Sequence, residues 1–219
     1  MAGVLSMAAQ TRLHSNEKRF YAGIQTGPMV SIFENYFSYP DNGRTADLIT
    51  FQAALVGGYD FNDIFGLRVT AGYGKNAGAC NTKETSAHGF YPYTFSSINV
   101  FADAMLDLLG MADKLSFFRV KLYGGVGVGH TFNVTDPGHP WQGVKSPSTA
   151  LGFRLGAMTE FNILDNLALY ADVTGEGYAD EYNGLMPLNT DQTQSFEGYG
   201  GFPVDLRGLI SVGIIYRFK

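Results

Sequence analysis

The C-terminal stretch, residues 205–219, reads DLRGLISVGIIYRFK. From Leu206 onward the even positions are almost all apolar: Leu206, Ile210, Val212, Ile214, Tyr216 and Phe218. The odd positions include Arg207, Ser211 and Arg217. A two-residue period is typical of a β-strand with one apolar and one polar face. The end of the chain is therefore predicted to be such a strand.

The same period recurs in seven earlier stretches, residues 20–33, 49–61, 64–75, 93–108, 115–132, 149–161 and 167–178. Short turn sequences follow every second stretch, near residues 62–63, 110–114 and 164–166. Long polar segments occupy the other connections, residues 34–47, 76–92, 133–148 and 179–203. Eight strands joined in this way predict an all-β protein, an eight-stranded antiparallel up-and-down β-barrel.

The composition limits the classes of function. Charged residues make up 16% of the chain and the net charge is -5, without a basic cluster, so nucleic acid is not expected as a partner. The single cysteine, Cys80, excludes an internal disulfide. No window of about 18 uninterrupted apolar residues exists, which excludes a spanning helix but leaves a spanning barrel open.

The N-terminal residues 1–10, MAGVLSMAAQ, look like the tail of a secretory signal. A short apolar run precedes small residues suited to peptidase cleavage. The alternative is a disordered N-terminus. We expect residues 1–18 to be a signal-peptide remnant with an N-terminal extension, and residues 19–219 to form one barrel domain.

Alternation alone does not decide whether the apolar face points inward, as in a lipocalin-like soluble barrel, or outward into lipid. Short turns lie at one end of the predicted barrel and long segments at the other, and this separation favours an apolar face that points outward into lipid. Aromatic residues also gather at the predicted strand ends, as interface girdles do: Phe20, Tyr59, Phe61, Phe65, Phe161, Tyr216 and Phe218 on the short-turn side, and Tyr73 and Phe132 on the other. The barrel is therefore predicted to be transmembrane.

The polar face carries as many positive as negative side chains. The positive ones are Arg68, Arg119, Lys121, Arg154, Arg207 and Arg217, and the negative ones are Asp60, Asp103, Asp107, Glu160, Asp172 and Glu176. Isolated ions in a narrow lumen would be costly, whereas guanidinium and carboxylate groups can satisfy one another. We predict a paired charge network in the lumen. The alternative is a solvated charged surface.

The aromatic ending, Tyr216 and Phe218, together with the pattern of residues 20–218, resembles small eight-stranded outer-membrane β-barrels of the OmpA-barrel or OmpX-like group. Lys219 departs from the commonest form of that ending, but Tyr-Arg-Phe-Lys resembles barrels of the Bacteroidetes. The resemblance implies an integral protein of the cell outer membrane with extracellular loops and periplasmic termini. It also implies that Tyr216 and Phe218 are an assembly signal for the barrel-assembly machinery.

Barrels of this group are surrounded by outer-membrane lipid and lipopolysaccharide. The resemblance implies that such a protein acts as an anchor, an adhesin or an accessory subunit of an outer-membrane protein complex. It implies no cofactor and no catalysis. A small-solute porin remains an alternative.

An enzyme is the other alternative, because a lipid A palmitoyltransferase and a lipid A deacylase resemble this architecture. The deacylase pattern is a His-x-Ser-Asn run, in which the serine must lie within hydrogen-bond reach of the histidine. The nearest run here is His130-Thr131-Phe132-Asn133, with Phe132 where the serine belongs. His130 is therefore interpreted as an interface residue, and no catalytic residue is predicted.

No metal site is predicted either. Cys80, His88 and His139 show no recurring ligand spacing. The acidic segment at residues 180–191 lacks the spacing of an EF-hand and is interpreted as solvated loop charge.

Overall fold

The computed structural model describes residues 19–32, 49–81, 90–112, 118–136, 142–179, 182–187 and 204–218. Its elements in chain order are β1 (Arg19–Ile32), β2 (Ile49–Asp60), β3 (Phe65–Asn81), β4 (Phe90–Asp107), α1 (Leu108–Met111), β5 (Phe118–Phe132), β6 (Gln142–Val144), β7 (Ser148–Leu164), β8 (Leu167–Ala179), β9 (Leu185–Pro187) and β10 (Val204–Arg217). None of the helices within these ranges is long and apolar enough to cross a membrane.

The eight long strands close into one barrel in the order β1-β10-β8-β7-β5-β4-β3-β2. Every neighbouring pair is antiparallel, including the pair that joins the first strand to the last. Closure leaves no strand edge unpaired, which a membrane-spanning sheet requires. The predicted eight-stranded antiparallel up-and-down barrel is thus confirmed.

Local turn chemistry explains the reversals at one end of the barrel. The side chain of Asn62 accepts hydrogen bonds from the backbone N–H groups of Ile64 and Phe65, at 2.8 and 2.7 Å. Asp107 caps α1 by accepting from the N–H groups of Leu109 and Gly110, both at 2.9 Å. These side chains replace ladder bonds that end at the turns. We call this the short-turn end, and the opposite one the long-connection end.

The structure corrects the sequence prediction at the long-connection end. Residues 76–92 were expected to be an aperiodic loop, but β3 runs to Asn81 and β4 begins at Phe90, with pairs from Asn76–Phe95 to Asn81–Phe90. The short strands β6 and β9 also lie in segments predicted to be loops, and they pair with each other. Ladder bonds between two strands need no apolar face, so hydropathy does not reveal these extensions.

The alternation of side chains sets apolar residues on the outer wall and polar residues in the lumen. Val126, Leu151 and Leu155 on the outer wall are 70%, 73% and 67% exposed, whereas Arg68 and Asp103 are buried in the lumen. A soluble barrel has the opposite arrangement. This inversion is typical of a barrel that faces lipid.

Candidate functional site

The inward faces of the strands bring six positive and six negative side chains together in the lumen, and each takes part in at least one ion pair. The network has three layers along the barrel. The lower layer, at the short-turn end, contains Asp60, Asp107, Arg119, Lys121, Glu160 and Arg217. The middle layer contains Arg68, Asp103, Arg154 and Asp172, and the upper layer contains Glu176 and Arg207.

Two carboxylates organise the lower layer. Lys121 Nζ lies 2.8 Å from Glu160 Oε1 and 3.3 Å from Asp60 Oδ1. Arg217, near the end of the closing strand, also pairs with Glu160 and lies 3.7 Å from Asp60 Oδ2. Arg119 donates from Nε to Asp107 Oδ2 at 2.5 Å. The layer therefore links β2, β4, β5, β7 and β10 across the lumen.

Asp103 is the centre of the middle layer because it accepts from two guanidinium groups. Arg68 Nε donates to its Oδ2 at 2.8 Å, and Arg154 Nε donates to its Oδ1 at 2.6 Å. Arg68 also donates to Asp172 at 2.8 Å. Tyr123 donates to the other oxygen of Asp172 at 2.5 Å, and its ring centroid lies 3.8 Å from the Arg68 guanidinium carbon. Arg68 and Asp172 are thus each bound by an oppositely charged partner and by Tyr123.

The upper layer ties the charge network to an aromatic cluster. Arg207 pairs with Glu176 and donates to the hydroxyls of Tyr178 and Tyr182 at 3.1 and 3.2 Å. The two tyrosine rings stack with centroids 3.8 Å apart. Asn99 bonds both hydroxyls, and its amide is best oriented with nitrogen toward the tyrosines and oxygen toward Arg207.

Tyr182 lies outside the eight long strands and inserts into this cluster from the long connection between β8 and β10. Burial raises the pKa of its phenol, so the hydroxyl stays protonated at neutral pH. The adjacent backbone is also fixed, since Asn183 N–H donates to Asp205 Oδ2 at 3.0 Å and Lys145 N–H donates to Gly184 O at 2.7 Å. Gly184 has a φ of 74°, a left-handed conformation that favours glycine.

Tyrosine rings fill the remaining lumen space above glycines on neighbouring strands. Five inward tyrosines on the strands lie directly opposite a glycine: Tyr21–Gly58, Tyr93–Gly78, Tyr123–Gly156, Tyr170–Gly213 and Tyr178–Gly152. A Cβ at Gly156 would lie 2.2 Å from the Tyr123 ring. The rings therefore occupy the volume that side chains at these glycines would take.

The paired charges and the tyrosine rings fill space in the lumen. Among the twelve paired side chains, positive and negative groups are equal in number in each layer: three of each in the lower layer, two in the middle and one in the upper. A hollow at the short-turn end, lined by Asp60, Asp107, Arg119 and Lys121, is too narrow to hold a water molecule. The arrangement can hold the barrel together.

The structure places all the charged residues of the predicted network in the lumen, and most of them are buried. The prediction omitted Asp205, which is buried and shares the parity of Arg207, so the alternation contained the signal. It also omitted Asn99, which shares the parity of Asp103, and Tyr182, for which the sequence has no comparable signal. Tyr216 and Phe218 lie outward, 45% and 50% exposed, with ring centroids 5.2 Å apart. Their role as an assembly signal remains a prediction.

The residues weighed for catalysis or metal binding fall elsewhere. His130 is outward on β5, and its Nδ1 lies 2.8 Å from Thr149 Oγ1 on β7. His88, His139 and residues 180, 181 and 188–191 of the acidic segment lie outside the described residues, and the side chain of Cys80 is not described. Across the described ranges, no group of three histidine, cysteine or acidic side chains is arranged to hold a metal ion.

An apolar wall around a packed, ion-paired interior defines the class of small transmembrane β-barrels. Residues 1–218 match the family described as the outer membrane protein beta-barrel domain, and the chain belongs to this family. It is an integral protein of the outer membrane. This confirms the family resemblance and the predicted location, while the Bacteroidetes origin stays a prediction.

Two solved structures show the same fold. Neisserial surface protein A is 15% identical, with 91% of this chain and 97% of that chain covered and a TM-score of 0.52. A major outer membrane protein from Thermus thermophilus is 15% identical, with 92% of this chain and 100% of that chain covered and a TM-score of 0.54. A comparison with curated protein sequences gave no match.

Proposed function

We propose that the protein is a non-catalytic outer-membrane barrel that acts through contacts made by its long connections, either alone or as an accessory subunit of an outer-membrane complex. The observation that carries this proposal is the filled lumen with its paired charges. Because neither a solute path nor an assembled catalytic group is found among the described residues, the surfaces are left to perform the function.

The structure of the long-connection end supports a role in binding a partner. The two-stranded sheet of β6 and β9 joins the connection between β5 and β7 to the connection between β8 and β10. Tyr182 anchors this sheet in the lumen, with its hydroxyl 2.8 Å from Asn99. Two connections are thus held together above the barrel, and a preorganised surface costs less conformational entropy when it binds a partner.

We propose that the long connections face outward from the cell and that both termini face the periplasm. The alternation of short and long connections supports this orientation. Cysteine labelling of intact cells tests it. Asp136→Cys, in a long connection, is expected to react with an impermeant maleimide, and Asp165→Cys, in a short turn, is expected to stay unlabelled. Labelling only at Asp165→Cys would reverse the orientation.

One observation favours a second candidate function, a lipid-modifying hydrolase. Thr149 supplies a hydroxyl beside His130, whereas the sequence run has Phe132 at the position of the serine. Nucleophilic dyads usually need a third group that orients the base. In the described part of the chain, the second ring nitrogen of His130 has no hydrogen-bond partner, so the pair lacks that group.

Crosslinking in mild detergent, followed by mass spectrometry, tests the interaction role. The proposal expects a stoichiometric protein or glycan partner joined through residues of the long connections. An isolated barrel that releases fatty acid from lipid A, with the release abolished in both His130→Ala and Thr149→Val, would overturn it in favour of the hydrolase.

A further inference from the structure

In the described part of the outer wall, one patch combines a charged side chain with an imidazole. Over the described outward positions of the eight long strands, a single charged side chain, Lys75, and a single imidazole, His130, interrupt the apolar surface. Both lie toward the long-connection end, on β3 and β5. Charged groups on a lipid-facing wall are costly unless they lie near the interface or have a partner.

Strand register brings the polar side chains of this patch together. Lys75 is opposite Ser96 on β4, and Ser96 is opposite Phe132 on β5. In the next row, His130 lies between Ile98 on β4 and Thr149 on β7. Lys75 and His130 are therefore two strand spacings and one row apart, with about 10 Å of lateral separation between their backbones.

Local contacts fix the imidazole ring. Thr149 Oγ1 forms a hydrogen bond with His130 Nδ1 at 2.8 Å. The imidazole ring also stacks on Phe132, with ring centroids 6.1 Å apart. Phe132 in turn packs near Tyr73, with centroids 6.5 Å apart. Within the described residues, Nε2 has no hydrogen bond, and exposed Lys75 makes neither a hydrogen bond nor an ion pair. The patch thus offers an unused ammonium group and an unused imidazole nitrogen beside an aromatic surface.

Among the described residues, the other side of the wall has no charged or imidazole side chain at this level. At the long-connection end of β1 and β2, the outward residues include Val30, Ile49 and Phe51, of which the last two are 49% and 66% exposed. On β10 the outward residue is Leu206. A general interfacial girdle would surround the barrel, so a one-sided patch indicates a specific ligand.

We propose that Lys75 and His130 bind the phosphate of one phosphorylated lipid in the leaflet at the long-connection end. The phosphate would accept from Lys75 Nζ and His130 Nε2. The lipid's acyl chains would lie on Ile98, Val100 and Val128, which are 45%, 41% and 43% exposed. An ammonium group and an imidazole above an apolar surface match an amphiphile with an anionic headgroup. The site goes beyond the proposed function and does not depend on it, because a barrel without any protein partner would still have it.

Native mass spectrometry of the folded barrel in maltoside micelles tests the site. The probes are diphosphorylated lipid A and the same lipid with both phosphates removed. We expect the wild type to retain the phosphorylated lipid about tenfold more than the dephosphorylated one. The ratio should fall toward one in Lys75→Gln and in His130→Gln.

Thr159→Val is the matched control, because Thr159 is outward on β7 at the short-turn end and should leave the ratio unchanged. Heat-modifiable gel mobility verifies that every variant is folded. Equal retention of both lipids by the wild type would overturn the proposal, as would an unchanged ratio in Lys75→Gln. A crosslink from Lys75 to a copurifying protein would assign the patch to a protein partner instead.

Discussion

The two faces of the same strands obey opposite rules. Asp103 on β4 points into the lumen and accepts from Arg68 and Arg154, while its neighbour Ala104 is exposed on the outer wall. Val126 on β5 is 70% exposed and makes no directed contact. The lumen therefore depends on specific partners and the wall depends only on being apolar.

The difference follows from the two surroundings. Lipid accepts any apolar side chain of suitable shape, whereas each charge in a narrow lumen must be matched by a partner or it stays unsatisfied. Stability should consequently respond strongly to inward substitutions, and to outward ones only when they introduce charge.

Breaking the centre of the lumen network should have the largest effect. Asp103→Ala leaves Arg68 and Arg154 without their shared carboxylate, and we expect the free energy of unfolding to fall by about 3–5 kcal/mol. Urea unfolding of the barrel in liposomes, followed by circular dichroism, measures the loss. The neighbouring outward variant Ala104→Ser is the control and should change stability by less than about 0.5 kcal/mol. Equal transitions for the two variants would contradict the ranking of the faces.

Placing a charge on the wall should have the next largest effect. Val126→Arg puts a guanidinium on the lipid face in mid-strand, and we expect a cost of about 2–4 kcal/mol if it lies near the midplane. The same unfolding assay measures it, with Val126→Ile as the control of similar shape. If Val126→Arg matches Val126→Ile, this side of the barrel does not face lipid.

Removing one tyrosine hydroxyl from the lumen face and one from the outward face compares the two faces with the smallest chemical change. Tyr123→Phe in the lumen removes hydrogen bonds to Asp172 and Thr174, both at 2.5 Å, and should cost about 1.5–3 kcal/mol. Tyr59→Phe, outward in the aromatic girdle beside Phe20, keeps its ring contact at 4.5 Å and should change stability little. If the free energy of unfolding falls by a similar small amount in both variants, Tyr123 contributes to stability through packing rather than through hydrogen bonding.

The sequence predicted the barrel because alternation is visible wherever one face is apolar, as in residues 205–219. It also predicted which charges share a face, since parity alone decides that. It did not predict which charges pair, because the bonds from Arg68 to Asp103 and Asp172 depend on closure and on how the interior packs.

The sequence did not predict two further features of the structure, and in each case the reason is physical. The extension of β3 to Asn81 rests on backbone pairing with β4, which leaves no hydropathy pattern. Tyr182 belongs to a long connection in which many aromatic residues look equivalent, and only the lumen cluster distinguishes it. Sequence patterns thus indicate on which face of a strand a residue lies, while closure of the barrel determines which residues it contacts.

The central claim is that the paired charges and tyrosine rings close the lumen. Planar-bilayer recording of the purified, folded barrel tests it most directly, with a general porin as the positive control in the same bilayer. The account predicts no steady conductance, only small or sporadic events. A steady, porin-like conductance from the wild-type barrel would contradict it, because the twelve charges would then line a water-filled channel.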